Sequence, residues 1–140
     1  MSAVPRRAEF PGGTKTVLIV EDQLEMRAIH AAYLQHNGYR VLATGNGIEG
    51  LRVAREERPD LILMDISVPG IDGIRATEQL KQDPATSGIP IVIVSALPYG
   101  SVGGRVLKAG CDGWISKPCD PRRLLEEVSR RLGEPGPARH

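Results

Sequence analysis

Leu61-Ile-Leu-Met64 is a run of four apolar residues, preceded by Arg58-Pro59-Asp60 and closed by Asp65. It is too short for a helix and lacks the polar alternation of a strand with one wet face. That leaves a strand covered on both sides, as in the middle of a parallel sheet. Thr16-Val-Leu-Ile-Val20 and Ile91-Val-Ile-Val94 have the same character, and Tyr39-Arg-Val-Leu-Ala43 and the weaker Gly113-Trp-Ile-Ser116 complete a set of five. Between the runs, apolar residues return at helical spacing. Leu24, Ala28, Ala31 and Leu34 form one expected buried stripe, Ile48, Leu51 and Ala54 a second, Ile74, Thr77 and Leu80 a third, and Leu125, Val128 and Leu132 the last. An alternating strand-helix pattern of this kind predicts an α/β fold, an open doubly wound parallel sheet of five strands with helices on both faces.

Turn chemistry falls at the same boundaries. Asn37-Gly38, Arg58-Pro59-Asp60 and Asp83-Pro84 are predicted to end the first three helices, and Asp120-Pro121 supplies the last with a capping carboxylate and a first-turn proline. The fourth helix, predicted around 101–109, is the weak element: Gly100, Gly103 and Gly104 lie in or beside it, and each mid-helix glycine costs about 1 kcal/mol. It is expected to be short or mobile.

The chain has 140 residues, 41% of them hydrophobic, with 18 Lys plus Arg against 17 Asp plus Glu and a formal net charge of +1. This is one domain's worth of sequence, with no bulk charge calling for nucleic acid or a membrane surface. No apolar run has the length of a membrane span, and residues 1–13 lack the apolar core of a signal peptide, so a cytoplasmic location is expected. Residues 1–13 and 133–140 have linker composition and are expected to be disordered tails around a domain at 14–132. Cys111 and Cys119 have no metal-site or disulfide-framework spacing and read as small hydrophobes.

In doubly wound sheets the functional crevice lies at the carboxyl ends of the strands. There the first strand runs into Glu21-Asp22, the third into Asp65, the fourth into Ser95 and the fifth into Lys117-Pro118. Each acidic residue alone reads as a helix cap; together they make a cluster of hard oxygen ligands suited to Mg²⁺, beside an ammonium and a hydroxyl donor. That set can clamp a transferring phosphoryl group, and a carboxylate within it can be the nucleophile.

Val17-Leu-Ile-Val-Glu-Asp22, Leu61-Ile-Leu-Met-Asp65-Ile-Ser-Val-Pro69-Gly-Ile-Asp-Gly73, Ile91-Val-Ile-Val-Ser95-Ala and Gly110-Cys-Asp-Gly-Trp-Ile-Ser-Lys117-Pro118 resemble the response-regulator receiver domain of two-component signalling, of the single-domain CheY-like or DivK-like type. The resemblance spans about 15–132 and implies a flavodoxin-like strand order of 2-1-3-4-5. It implies Asp65 as phosphoacceptor from a phosphohistidine, on a sensor histidine kinase or a histidine phosphotransfer protein. It further implies Mg²⁺ held by Asp22 directly, by Glu21 through a water, by Asp65 and by the backbone carbonyl of Ser67. Lys117 then pairs with a phosphoryl oxygen, Ser95 is the switch hydroxyl, and Pro118 follows through a cis peptide bond. Output is expected through the fourth helix, fifth strand and fifth helix to a protein target, with no nucleic acid or membrane partner. Turnover is expected to be limited to self-phosphorylation and self-dephosphorylation, so the chain is not expected to be an enzyme.

The sequence departs from the family pattern at Trp114, where the switch aromatic is usually Tyr, Phe or His, at Cys119, where Phe often follows Lys-Pro, and at Val68, where Met usually precedes Pro69. Ser67 and Leu97 flank the site and are expected to tune the acyl-phosphate lifetime. Gly45-Asn-Gly47-Ile-Glu-Gly50 matches the dinucleotide fingerprint G-x-G-x-x-G, but it follows the second strand rather than the first and reads as a turn and helix start. A small-substrate phosphatase needs a general acid and a cap that the sequence does not offer. The same motifs also fit a pseudo-receiver that binds partners without phosphorylation, or a receiver fragment of a hybrid histidine kinase.

Overall fold

A computed structural model describes residues 5–133. A 3-10 turn, Arg7–Glu9, precedes β1 (Thr16–Val20), α1 (Leu24–His36), β2 (Arg40–Thr44), α2 (Gly47–Glu57), β3 (Leu61–Asp65), α3 (Gly73–Gln82), β4 (Ile91–Ser95), α4 (Tyr99–Ala109), β5 (Gly113–Ser116) and α5 (Pro121–Leu132). The five strands are parallel throughout, in the order β2-β1-β3-β4-β5. Every residue of β1, β3 and β4 is buried, which is why their sequences are continuously apolar.

Because side chains alternate across a strand, these three strands feed two cores. Leu18, Val20, Ile62, Met64, Ile91 and Ile93 meet Leu51 and Ala54 of α2, Ile74 and Leu80 of α3, and Val106 of α4. On the other face Val17, Ile19, Leu61, Leu63, Val92 and Val94 meet Leu34 of α1 and Leu124 and Val128 of α5. The caps follow the turn residues: Asn46, Asp72 and Asp120 each accept a backbone N–H in the first turn of α2, α3 and α5, Gly38 turns left-handed after α1, and Arg58 does so after α2.

Three helices differ from their expected faces. In α1 Leu24 is 68% exposed and Ala28 is exposed, while His30 and Leu34 are buried. The inward face passes through positions 27, 30, 31 and 34, about 100° round the helix from 24 and 28. In α2 Ile48 is 60% exposed, and Gly47 and Gly50 take the inward positions. A Cβ at Gly47 would fall 2.0 Å from the Ile71 carbonyl oxygen, and one at Gly50 would fall 2.9 Å from Val20. The glycine fingerprint is therefore accounted for by close packing of α2 on the β3–α3 loop and β1. In α5 the buried positions are Leu124, Glu127 and Val128, with Leu125 and Leu132 half-buried. Helix α4 starts two residues earlier than expected and runs for 11 residues. Gly103 leaves room there for the Tyr99 ring, whose Cε1 lies 2.6 Å from where a Cβ would stand.

Residues 5–13 run past the amino-terminal end of the sheet. Arg40 donates to the Pro5 carbonyl (2.6 Å), Thr16 Oγ1 (3.2 Å) and Glu57 (2.6 Å), and Arg7 donates to the carbonyls of Glu57 and Arg58. The remainder of the two expected tails, residues 1–4 and 134–140, lies outside the described residues. Both cysteines are free thiols, Cys119 buried and Cys111 half-buried. Among the described residues no helix is long and apolar enough to cross a membrane.

Candidate functional site

Five parallel strands bring their carboxyl ends to one edge, and the polar residues of the sequence motifs meet there. Lys117, one residue past β5, places Nζ 2.8 Å from Asp65 Oδ2 and 2.6 Å from Glu21 Oε1. The other oxygens are also held: Asp65 Oδ1 accepts the Ser67 N–H (3.0 Å) and Glu21 Oε2 accepts the Gln23 N–H (3.1 Å). Both carboxylates are buried, at 5% and 4% exposure. Asp22 is exposed beside them, and one carboxylate oxygen from each of Glu21, Asp22 and Asp65 lies within 4.8 Å of the others.

The electrostatics follow from that crowding. Burial pushes the Glu21 carboxyl above its ordinary range; the bonds from Lys117 and the Gln23 N–H oppose this, and the Asp65 charge adds to it. Burial works against the Lys117 ammonium, but its bonds to Asp65 and Glu21 outweigh that and hold its pKa above the usual lysine value. An all-oxygen set with one solvent-facing carboxylate fits Mg²⁺, a hard cation that keeps part of its water shell.

Ser95, the last residue of β4, is buried, and its Oγ accepts the Leu97 N–H at 3.0 Å. Lys117 and Pro118 are joined by a cis peptide bond. Trp114, in β5, is half-buried against the α2–α4 side of the core and donates from Nε1 to Ser116 Oγ at 3.1 Å. Its ring meets Tyr99 of α4 edge to face, with centroids 5.1 Å apart. The motifs do not single out Tyr99; its signal is Gly103, one helical turn later, which gives the ring its place. His30 carries no sequence signal at all, since a lone histidine on a predicted helix reads as a surface residue.

The sequence profile of the response regulator receiver domain matches residues 17–129. The chain belongs to the response regulator receiver domain family. The receiver is 38% identical to the polar-differentiation response regulator DivK of Brucella anthropi over 120 residues, covering 86% of this chain and 98% of that one. Against DivK of Brucella ovis the identity is 37% over 121 residues, with the same coverage. Among solved structures, a CheY-like receiver domain protein from Methanospirillum hungatei superposes with a TM-score of 0.81 at 30% identity, over 87% of this chain and 96% of that one. The receiver domain of a Pseudomonas aeruginosa sensor histidine kinase, crystallised with a magnesium ion coordinated in its active site cleft, gives a TM-score of 0.79 at 30% identity, over 86% and 99%. Both the receiver family and the strand order are thus those implied by the motifs.

Proposed function

We propose that this receiver is phosphorylated on Asp65 by a phosphohistidine of a sensor histidine kinase or a histidine phosphotransfer protein, and that it signals by protein contact. The observation that carries this reading is the Lys117 ammonium shared between Glu21 and Asp65 at the sheet's carboxyl edge. An Asp65 carboxylate oxygen forms the new O–P bond as the P–N bond of the donor breaks, and the departing imidazole takes up a proton. Lys117 is within hydrogen-bond distance of the reacting carboxylate, at 2.8 Å, and is placed to pair with a phosphoryl oxygen. Glu21, Asp22, Asp65 and the Ser67 carbonyl would hold Mg²⁺, whose chemistry is neutralisation of charge on the phosphoryl oxygens. Turnover would be confined to formation and hydrolysis of the acyl phosphate, in the cytoplasm where such donors act.

Ser95 Oγ is engaged with the Leu97 N–H. Its transfer to a phosphoryl oxygen would release that N–H and shift the β4–α4 loop, to which Tyr99 and Trp114 are joined. Moving such an equilibrium from mostly inactive to mostly active takes about 5.5 kcal/mol of differential stabilisation. The surface that would change, α4, β5 and α5, is the proposed contact for a downstream protein.

Intact mass after incubation with acetyl phosphate tests the chemistry. Wild type is expected to gain one phosphoryl group only with Mg²⁺, and Asp65→Asn none. An unlabelled wild type, under conditions that label another receiver, would favour a phosphorylation-independent interaction module.

A further inference from the structure

His30 is the one buried histidine among the described residues, at 3% exposure. It lies on α1, on the inward face that the apolar pattern assigned to other residues. One side of its ring is bonded to the Cys119 backbone, two residues beyond Lys117. Its Nε2 has no hydrogen-bond partner, so the bonded atom is Nδ1. A carbonyl there accepts, which makes Nδ1 the protonated nitrogen and leaves Nε2 a bare lone pair. Burial, with the Lys117 charge in the same direction and the Cys119 bond opposing, lowers the ring's pKa and so favours the neutral form.

The space beside the ring is not purely apolar. His30 lines a cavity of about 10 Å³ together with Glu21, Asp65, Leu63, Val94 and Leu124. Alternation along β1 and β3 explains the company: Glu21 continues the face of Val17 and Ile19, and Asp65 that of Leu61 and Leu63, so both carboxylates fall on the α1 side of the sheet. A neutral Nε2 and a carboxylate are both acceptors and cannot bond each other. A single water, with two protons to give, satisfies both, and a space of this size holds about one.

We propose that His30 is a positioning residue for the phosphorylation site: Nδ1 ties the Lys117–Cys119 segment to α1, and Nε2 shares one internal water with the carboxylates that Lys117 bridges. The imidazole touches neither donor nor metal; it acts through the placement of Lys117. The inference rests on the phosphoacceptor reading of Asp65.

The test follows Mg²⁺-dependent labelling by acetyl phosphate in wild type, His30→Asn and His30→Leu. The Asn amide stands where Nδ1 does and keeps the bond to Cys119, whereas Leu fills the space without it. Asn is expected to retain the wild-type rate within about threefold. Leu is expected to lose about tenfold or more at saturating Mg²⁺, as misplaced groups near a reacting centre do. Its Mg²⁺ half-saturation should stay within about twofold of wild type, because Lys117 is not a metal ligand, while its thermal midpoint should fall by only the few degrees that one unpaired carbonyl at Cys119 costs. A Leu variant labelled at the wild-type rate, or one in which rate, Mg²⁺ dependence and thermal midpoint fall together, would overturn the proposal. Side-chain ¹⁵N spectra of wild type, which need no variant to fold, should show the Nδ1–H tautomer; the Nε2–H tautomer would overturn it too. Failure to label wild type would instead sink the phosphoacceptor reading, an outcome distinct from equal labelling of wild type and Leu.

Discussion

One ammonium holds two buried carboxylates at the end of β1 and β3, and small changes in the backbone beneath them should be felt at once. Gly73, the first residue of α3, donates its N–H to the Ile66 carbonyl, and a Cβ on it would stand 2.3 Å from the Asp65 carbonyl oxygen and 2.8 Å from Ile66 Cα. Both obstacles are backbone and cannot swing away. Gly73→Ala is therefore expected to destabilise the receiver by about 2 kcal/mol or more and to slow labelling of Asp65 beyond what the stability loss explains. Urea titration and labelling rate on the same sample check it, and a variant of wild-type stability and rate would contradict the close packing. The Asp65-to-Gly73 stretch was legible as a motif, but the reason for its last glycine lies in the approach of α3 to β3.

Helices α4 and α5 carry opposite lessons about local composition. Gly104 lies in α4 with nothing within 4 Å of where its Cβ would be, so it contributes flexibility and no packing. Gly104→Ala should stabilise the receiver by about 0.5 to 1 kcal/mol in chemical denaturation, while Gly103→Ala, against the Tyr99 ring, should destabilise it. In α5 the charged Glu127 is buried and bonded by Arg130 (2.6 Å), Arg131 (2.7 Å) and, more distantly, Arg123. Burial opposes its ionisation, but the guanidinium bonds from Arg130 and Arg131 prevail and hold its pKa below the usual glutamate value. A depressed folded pKa means stability that is present above the unfolded pKa of 4.5 and lost as pH falls through the folded value. Glu127→Gln should then cost about 1 to 2 kcal/mol at pH 7, with the gap closing as pH drops below 4.5. Parallel denaturation curves for the two proteins from pH 7 to pH 3 would refute this.

At the scale of the whole molecule, the site and the proposed contact surface are joined through the β4–α4 loop, from Ser95 by way of Leu97 to the Tyr99–Trp114 pair. Trp114 is the sole tryptophan of the chain, so it reports on that joint directly. Acetyl phosphate with Mg²⁺ should change its emission and the amide-exchange protection of residues 95–114, and Asp65→Asn should abolish both changes. Identical emission and exchange in the labelled and unlabelled protein would dissociate the loop from the site. The sequence by itself determined the sheet: three strands buried on both faces have to be continuously apolar, and parallel strands have to bring Glu21, Asp22, Asp65, Ser95 and Lys117 to one edge. It placed Leu34, Leu51, Ala54 and Val128 inward but did not fix how far round α1, α2 and α5 the buried face extends, because helical periodicity tells which residues share a face but not where the sheet's contact begins and ends. Only the tertiary structure decided that His30 turns inward instead of Leu24, that Gly47 and Gly50 are contact points, and that Tyr99 lies across Gly103 onto Trp114. Those contacts join residues far apart in the chain, and no local pattern encodes the distance between them.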